Sequence, residues 1–382
     1  MGRTRTKQKL HTKTTDPLIQ HSSSAKTPSI PALIEKAQEL IIQCDYELAL
    51  RFTRRVLEQE PDNAEAKEIL GVSLLETGEI DAAKKAFQSL IQPSLPQPPP
   101  PSAHLYLAQL TDEDPRLALQ HYQAAVELLL NQLKGKQSAQ NALSRNNSDE
   151  DEIKSNIVRA LVGQVEIWMD PSYDLCFEPE AEKTCEDLLD LALRTDPDNS
   201  EALQSLASVR MSQQRPEEAK QILEQVWAKW KDLEPGDPAL PPIPTRLSFV
   251  KLFLELELYT PALSALQGIM ATDDQEVEAW YLEGWCFFLM SENAKESGGK
   301  LDDMSWEELA KDSRDCLETC KVLHLNQDYP DKPILAHVEE LITKLEALGV
   351  KPSPIDEGDG VDDGEGEWED VSEDEDGDIR MD

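Results

Sequence analysis

Residues 61–71 read PDNAEAKEILG and are followed by Gly78, Ala83 and Phe87. Residues 197–207 read PDNSEALQSLA and are followed by Ala219 and Leu223, and a third copy begins at 276–280 with EVEAW. The alternation of small and large apolar residues at helical spacing predicts pairs of helices. Small residues would stand where the two helices of a pair approach closely, and large apolar residues would fill the spaces between pairs; the small ones are Gly71, Ala83, Ala207, Ala219 and Gly284.

This pattern resembles the tetratricopeptide repeat (TPR), a helix–turn–helix unit of about 34 residues. The resemblance implies an all-α fold, because each pair hides only part of its apolar surface and must stack on the next pair. We therefore predict an α-solenoid, a TPR superhelix of about seven helical pairs, closed by a C-terminal capping helix over 333–348. The concave face of such a solenoid binds peptides or proteins and rarely performs chemistry.

The domain organisation follows from where the helical pattern holds and where it fails. We predict one solenoid over 30–350, between a disordered basic N-terminus (1–29) and a disordered acidic tail (351–382). Helical pairs are predicted at 32–61, 64–92, 102–133, 153–195, 200–231, 245–271 and 277–323. Proline-rich or polar stretches cannot continue a helix. They predict exposed insertions at 93–101, 134–152, 170–179, 232–244 and 291–304.

The net charge of −38 is concentrated in the body of the chain. Residues 1–27 hold six basic and one acidic side chain, and residues 355–382 hold fifteen acidic side chains and one Arg. About −29 therefore remains for residues 28–354. A surface this negative repels nucleic acid and anionic membranes and attracts basic proteins. We expect a basic protein partner, with no direct binding of nucleic acid or membrane.

No catalytic or cofactor site is predicted. The six His are scattered, although His104 and His121 could face each other across one hairpin, and no Gly-rich phosphate loop or strand pattern is present. The six Cys form no CxxC pair, and Cys316 and Cys320 lack further ligands at zinc spacing. We interpret the Cys as buried thiols of a reducing compartment, and expect a protein that is not an enzyme and holds no metal or cofactor. With no signal peptide and no long apolar run, we expect it in the cytosol or nucleus.

The TPR resemblance also implies which residues line the concave face. Positions 2, 5, 9, 12 and 13 of the first helix in each pair carry Glu65, Glu68, Glu76, Asp112, Glu113, Glu201, Glu255, Glu278, Tyr281 and Trp285. Carboxylates interleaved with aromatics suit a ligand rich in Arg and Lys. These acids argue against a site for the acidic C-termini of heat-shock chaperones, which would need a basic clamp.

Two serines stand before runs of acids and resemble sites of acidophilic kinases. Ser148 precedes Asp149-Glu150-Asp151, and Ser372 precedes residues 373–376, which read EDED. Phosphate at either serine would add negative charge to a segment that is already negative. Near the other end of the chain, residues 3–9 (RTRTKQK) could form an import signal, or only a basic tail.

The acidic tail also carries Trp368 within Glu367–Val371 (EWEDV). Together with the TPR body, the short basic N-terminus and the strongly acidic charge, it resembles a fungal family, the dedicated assembly chaperones of large-subunit ribosomal protein L-four. The resemblance implies that the concave surface captures the basic internal loop of newly made L-four, one client to one chaperone. It further implies that the chaperone accompanies L-four to the nucleus, where an import receptor could take part, and delivers it to the pre-ribosome.

Two alternatives of other kinds remain open from the residues alone. One is a general TPR scaffold or adaptor in a multiprotein complex, with several partners and little salt sensitivity. The other is an acidic chaperone of the histone type, for which deletion of 355–382 would remove most of the binding. A chaperone of L-four would instead bind through the solenoid and lose affinity as salt rises.

Overall fold

The computed structural model describes residues 28–92, 98–139, 147–301 and 303–353, and these residues are almost entirely helical. The helices are α1 (Ile30–Ile42), α2 (Tyr46–Gln59), α3 (Ala64–Glu76), α4 (Ile80–Leu90), α5 (Pro101–Gln109), α6 (Pro115–Ala139), α7 (Asn147–Met169), α8 (Ala181–Thr195), α9 (Ser200–Ser212), α10 (Pro216–Trp230), α11 (Ile243–Glu255), α12 (Tyr259–Met270), α13 (Val277–Glu296), α14 (Trp306–Asn326) and α15 (Lys332–Ala347). Consecutive helices pack on each other within each unit, with α10 and α11 meeting through the rings of Trp227, Trp230, Phe249 and Phe253, and this packing confirms the all-α TPR fold.

The contacts of the chain divide it into two compact units, one ending at Glu178 and the other beginning at Pro179. The first unit holds α1–α7 and the second holds α8–α15. This division cuts through the predicted fourth pair, because α7 packs on α6 whereas α8 packs on α9. Between the two helices the chain forms short 3-10 helices at Pro171–Tyr173 and Leu175–Phe177, so the connection is longer than a repeat turn.

Two of the five predicted insertions, 134–152 and 291–304, are shorter than expected. Residues 134–139 belong to α6 and 147–152 belong to α7, so only 140–146 of that insertion lie outside the described residues. The polar residues here stabilise helix ends, because acids in the first turn of α7 complement the helix dipole and Asp149 pairs with Lys136 at 3.1 Å. Similarly, Pro101 begins α5, since proline is compatible with the first turn of a helix.

The interruption predicted at 291–304 is replaced by a longer helix and a small hairpin. Helix α13 continues to Glu296 and ends where Gly298 and Gly299 adopt positive φ. Two-residue strands, β1 (Lys300–Leu301) and β2 (Met304–Ser305), then pair antiparallel, although the sequence predicted no strand. Ser305 caps the next helix in a capping box with Glu308, so the polar residues end one helix and begin the other.

The repeated PDN sequences act as helix starts in both units. The Asn63 side chain accepts a hydrogen bond from the Ala66 backbone at 2.9 Å, and Asn199 accepts one from Ala202 at 3.1 Å. Each asparagine side chain also donates to the acid that directly follows the preceding helix, Glu60 after α2 and Asp196 after α8. In both copies, therefore, the asparagine is an N-cap whose side chain pairs with a backbone amide that has no partner within the helix.

The small residues of the repeat allow close approach of helices, as predicted. A Cβ built on Gly71 of α3 would lie 2.6 Å from two ring carbons of Phe87 in α4. A Cβ on Gly284 of α13 would lie 2.8 Å from Cγ of Leu317 in α14. Ala83, Ala207 and Ala219 are fully buried, so these positions have no space for a longer side chain.

Helix α15 is the predicted capping helix, and a buried charge fixes it to α14. The Arg314 guanidinium donates to the Ile342 carbonyl at 3.0 Å and pairs with Glu318 at 2.7 Å and Glu346 at 2.8 Å. Hydrogen bonds from a buried guanidinium to several acceptors offset its loss of hydration. The helix ends before Gly349, whose φ of 80° is the left-handed conformation favoured after a helix end.

The interpretation of the cysteines as buried thiols is correct for four of six. Cys185, Cys286, Cys316 and Cys320 are buried, and burial is the main cause that raises the pKa of each thiol. Cys44 is exposed and Cys176 is half-buried. Cys44 lies in the turn between α1 and α2, outside both helices, and its φ is positive.

Candidate functional site

Helix α3 carries three of the five acids that were predicted to line the concave face in the first unit. Glu65 and Glu76 are exposed at the two ends of α3, and Glu68 is half-buried between them. Burial raises the pKa of Tyr106 on α5, and the negative charges of Glu68 and Glu76 raise it further. The acids of α3 thus act on the neighbouring first helix of the next pair, so the two helices share one electrostatic environment.

Asp112 and Glu113 do not lie on a helix, contrary to the repeat positions assigned to them. Helix α5 ends at Gln109, and both acids are exposed in the turn before α6. The turn is fixed by Asp114, whose carboxylate accepts the Leu117 amide at 3.0 Å, and by Pro115 at the start of α6. Because the residue before a proline disfavours helical geometry, Asp114 stays outside α6, and its carboxylate caps the start of that helix.

In the second unit the predicted acids are less uniform. Glu201 is exposed in the first turn of α9, and Glu255 is exposed at the end of α11. Glu278 on α13 is half-buried and pairs with Lys251 of α11 at 2.5 Å. The sequence reasoning did not include this lysine, which neutralises part of the predicted acidic surface.

Tyr281 and Trp285 are partly covered by the capping helix. The Tyr281 hydroxyl lies 2.8 Å from Nδ1 of His337 on α15, and the Trp285 ring meets the same imidazole edge-on at 5.7 Å. The two aromatic rings also stack on each other, 5.9 Å apart. Burial raises the pKa of Tyr281 to about 12. The rings thus form a structured aromatic surface, half-buried before any partner binds.

A cavity of about 180 Å³ lies in the first unit beside Asp112. Its lining includes Asp112, Tyr122, Gly163, Glu166, Asp170 and Tyr173. Of these residues, only Asp112 was predicted as a site residue from the sequence. Two signals were available in the sequence: the glycine at 163 opposite a large residue, and the loop at 170–179 that exceeds the repeat length.

Gly163 and Tyr122 form the inner edge of this cavity. A Cβ at position 163 would lie 2.8 Å from Cζ of Tyr122, so the tyrosine occupies space that only glycine leaves open. Burial raises the pKa of Tyr122, and the charge of Glu166 adds to the rise. Hydrogen bonds from the Ser172 hydroxyl and backbone to Asp170 lower the pKa of that carboxyl. Asp170 is therefore ionised at neutral pH.

His104 on α5 and His121 on α6 face each other, as the sequence suggested. Their Nδ1 atoms are 3.1 Å apart. One neutral imidazole therefore donates to the other when its proton is on Nδ1 and the second ring carries its proton on Nε2. Burial lowers the pKa of both rings; the other imidazole adds to the effect at His104, and Lys84 adds to it at His121. The pair is a structural contact between two helices that favours the neutral rings.

This contact predicts a loss of stability in mild acid. The folded pKa values are lowered, so the unfolded chain binds protons first, and the stabilisation present above about pH 6.5 declines as pH falls towards the folded values. We expect the free energy of unfolding from urea titrations to decrease between about pH 7 and pH 5. The double variant His104→Gln, His121→Gln should show a shallower slope, and equal slopes would contradict the assignment.

Ser148 is exposed in the first turn of α7, where a phosphate would complement the helix dipole. Its phosphorylation stays a prediction, and Ser372 lies outside the described residues. Among the residues that are described, no helix is long and apolar enough to cross a membrane.

The helix pairs define the class of the protein, and comparison with known sequences agrees. Residues 35–99 and 180–232 each match the tetratricopeptide repeat, so this is a TPR protein. The chain is 30% identical to the "Probable assembly chaperone of rpl4" of Emericella nidulans, over 90% of this chain and 89% of the relative. It is also 30% identical to the protein of that name in Schizosaccharomyces pombe, over 87% of this chain and 94% of the relative.

A solved structure gives the same result. Residues 1–338 of the "Assembly Chaperone of RpL4 (Acl4)" superpose with a TM-score of 0.65 at 30% identity. The alignment covers 71% of this chain and all of the solved one. The chain therefore belongs to the family of assembly chaperones of rpl4.

Proposed function

We propose that this protein is the dedicated chaperone of newly made ribosomal protein L-four, and that it holds the basic internal loop of L-four on the acidic face of its TPR helices. The observation that carries the proposal is the identity of 30% with two proteins named as assembly chaperones of rpl4, over about nine-tenths of the chain. The net charge of −38 supplies the physical complement to a basic client.

The negative charges attract the basic client, and apolar contacts add binding affinity that salt does not screen. A single exposed ion pair contributes about 0–1 kcal/mol, so the acids act as a set that accelerates encounter and keeps the client from RNA. Tyr281 and Trp285 offer half-buried aromatic surface beside Glu278. Aromatic anchors of this kind contribute disproportionately to affinity at protein interfaces.

Release needs no nucleotide in this proposal. Ribosomal RNA presents the same basic loop with a denser array of negative charge, so the client transfers when RNA contacts outcompete the chaperone. The protein then works in cytoplasm and nucleus, and an import receptor could recognise the client or residues 3–9 of the chaperone. These residues lie outside the described part of the chain.

The proposal is tested by calorimetry of the full chain with the isolated internal loop of L-four. We expect one-to-one binding that weakens by at least about tenfold from low salt to 0.3 M, because the Debye length shortens from about 30 Å at 0.01 M to about 8 Å at 0.15 M. Absence of binding at low salt would reject the proposal. Binding without salt dependence would favour a scaffold.

A chain ending at residue 354 provides the matched control for the acidic tail. The internal loop should bind this shortened chain with nearly the affinity of the full chain, because the acids of the TPR helices remain. Loss of most binding would transfer the site to the tail and favour a chaperone of the histone type.

A further inference from the structure

We propose that the cavity beside Asp112 receives one arginine side chain of the basic client. The inference rests on the proposed function and adds a subsite for the same client. Throughout, the cavity is the space lined by Asp112, Tyr122, Gly163, Glu166, Asp170 and Tyr173.

The size of the cavity matches a single side chain. Sites for drug-sized ligands and cofactors have volumes of about 300–1,000 Å³. The cavity has about 180 Å³, which is too small for such a ligand but several times the roughly 30 Å³ of one water molecule. A guanidinium group with part of its aliphatic stem is the ligand of this size that a basic protein segment would offer.

The charge of the cavity has one sign. Three carboxylates line it, and none of its lining residues is Lys, Arg or His. The Ser172 backbone and hydroxyl donate to one oxygen of Asp170 at 2.8 and 2.6 Å, which holds this carboxylate in place. Asp112 is exposed at the rim, where an incoming cation would meet it first. A guanidinium can contact several carboxylate oxygens at once through its planar set of donors.

Two tyrosines distinguish the cavity from an ordinary patch of acids. Tyr122 has only 8% of its surface exposed and reaches the cavity edge across Gly163. Tyr173 also lines the cavity and comes from the first 3-10 helix of the loop. Arginine stacks on aromatic rings and is less strongly hydrated than lysine, so this lining favours arginine.

The loop that exceeds the repeat length builds the outer wall. Residues 170–178 supply Asp170 and Tyr173 to the cavity, and an ion pair between Glu178 and Arg116 joins the end of this loop to the start of α6. The same loop leaves Phe177 76% exposed. One loop thus supplies both part of the cavity lining and an exposed aromatic ring, which fits a client segment that carries apolar as well as basic residues.

The test compares two neighbouring acids in the full chain. Asp112→Asn removes a charge from the cavity lining, whereas Glu113→Gln removes one from the adjacent exposed residue, which does not line it. Both variants lose one negative charge at adjacent positions, so the long-range attraction to the basic client is the same in both. By calorimetry with the internal loop of L-four, we expect Asp112→Asn to weaken binding about tenfold and Glu113→Gln less than about twofold, since hydrogen bonds to charged groups are strong and screened surface charges are weak.

An alanine scan of the arginines in the loop peptide completes a double-mutant cycle. One arginine should matter for the unaltered chain and lose most of its effect in the Asp112→Asn variant. Unfolding by urea verifies that both variants are as stable as the unaltered chain. If the two variants bind alike, or if every arginine keeps its effect in Asp112→Asn, the cavity proposal is wrong while binding of L-four stands. If the unaltered chain fails to bind, the proposed function falls and the subsite with it.

Discussion

Phe253→Ala should lower the free energy of unfolding of the second unit by about 3–5 kcal/mol, the cost of removing a large aromatic side chain from a packed core. Phe253 is fully buried on α11, with its ring centre 5.9 Å from that of Trp227 and 6.4 Å from that of Phe249. Trp227 comes from α10 and Phe249 from α11, so truncation of Phe253 leaves a space where the two helices pack. Urea unfolding followed by tryptophan fluorescence measures the loss.

Leu325→Ala is the control for the loss of buried apolar area. Leu325 is 61% exposed on α14 of the same unit, so its truncation should change the free energy of unfolding by no more than about 0.5 kcal/mol. A similar loss in both variants would mean that Phe253 does not carry the core of this unit.

Gly71→Ala should destabilise the first unit by about 1–3 kcal/mol through overpacking, although alanine is the better helix former. The added methyl would lie 2.6 Å from two carbons of Phe87, whose ring is itself fully buried and stacked on Tyr106 at 4.6 Å. The ring cannot move without disturbing the next helix pair. The free energy of unfolding from urea titration, followed by circular dichroism, reports the effect.

A second glycine in a helix serves as the control, and its substitution should change the free energy of unfolding in the opposite direction. Gly135 is exposed in α6 with no atom within 4 Å of a built Cβ, so Gly135→Ala should stabilise by up to about 1 kcal/mol. In a Phe87→Leu background, Gly71→Ala should cost clearly less, because the smaller side chain frees the space. An undiminished cost would show that the clash with Phe87 is not the cause.

The local structure was predictable wherever it depends on neighbours in sequence. The helical pairs predicted to begin at 64 and 200 do begin there, and the structure adds the local reason: Asn63 and Asn199 each cap the backbone amide three residues later. The insertion at 134–152 was predicted too long, because the helices at its two ends are supported by a contact between residues far apart in sequence. Its polar composition does not prevent a helix, and pairing of Lys136 with Asp149 adds support that composition does not reveal.

The acidic residues of the candidate site were predictable as a class, but their surroundings were not. The repeat pattern led to Glu278, Tyr281 and Trp285, while Lys251 and His337, which contact them, come from helices distant in sequence. Asp112 was predicted on a helix and lies in a turn, since α5 is shorter than the repeat requires. Whether these residues contact the client stays a prediction.

The class of fold, the acidic charge and the family follow from the amino-acid sequence, because periodicity, composition and identity with relatives are properties of the chain alone. The division after Glu178, the cover of α15 over Tyr281 and the cavity beside Asp112 became visible only in the folded protein. Each of these depends on which side chains of separate helices meet. That outcome is set by packing between elements, which a repeat pattern of about 34 residues does not specify.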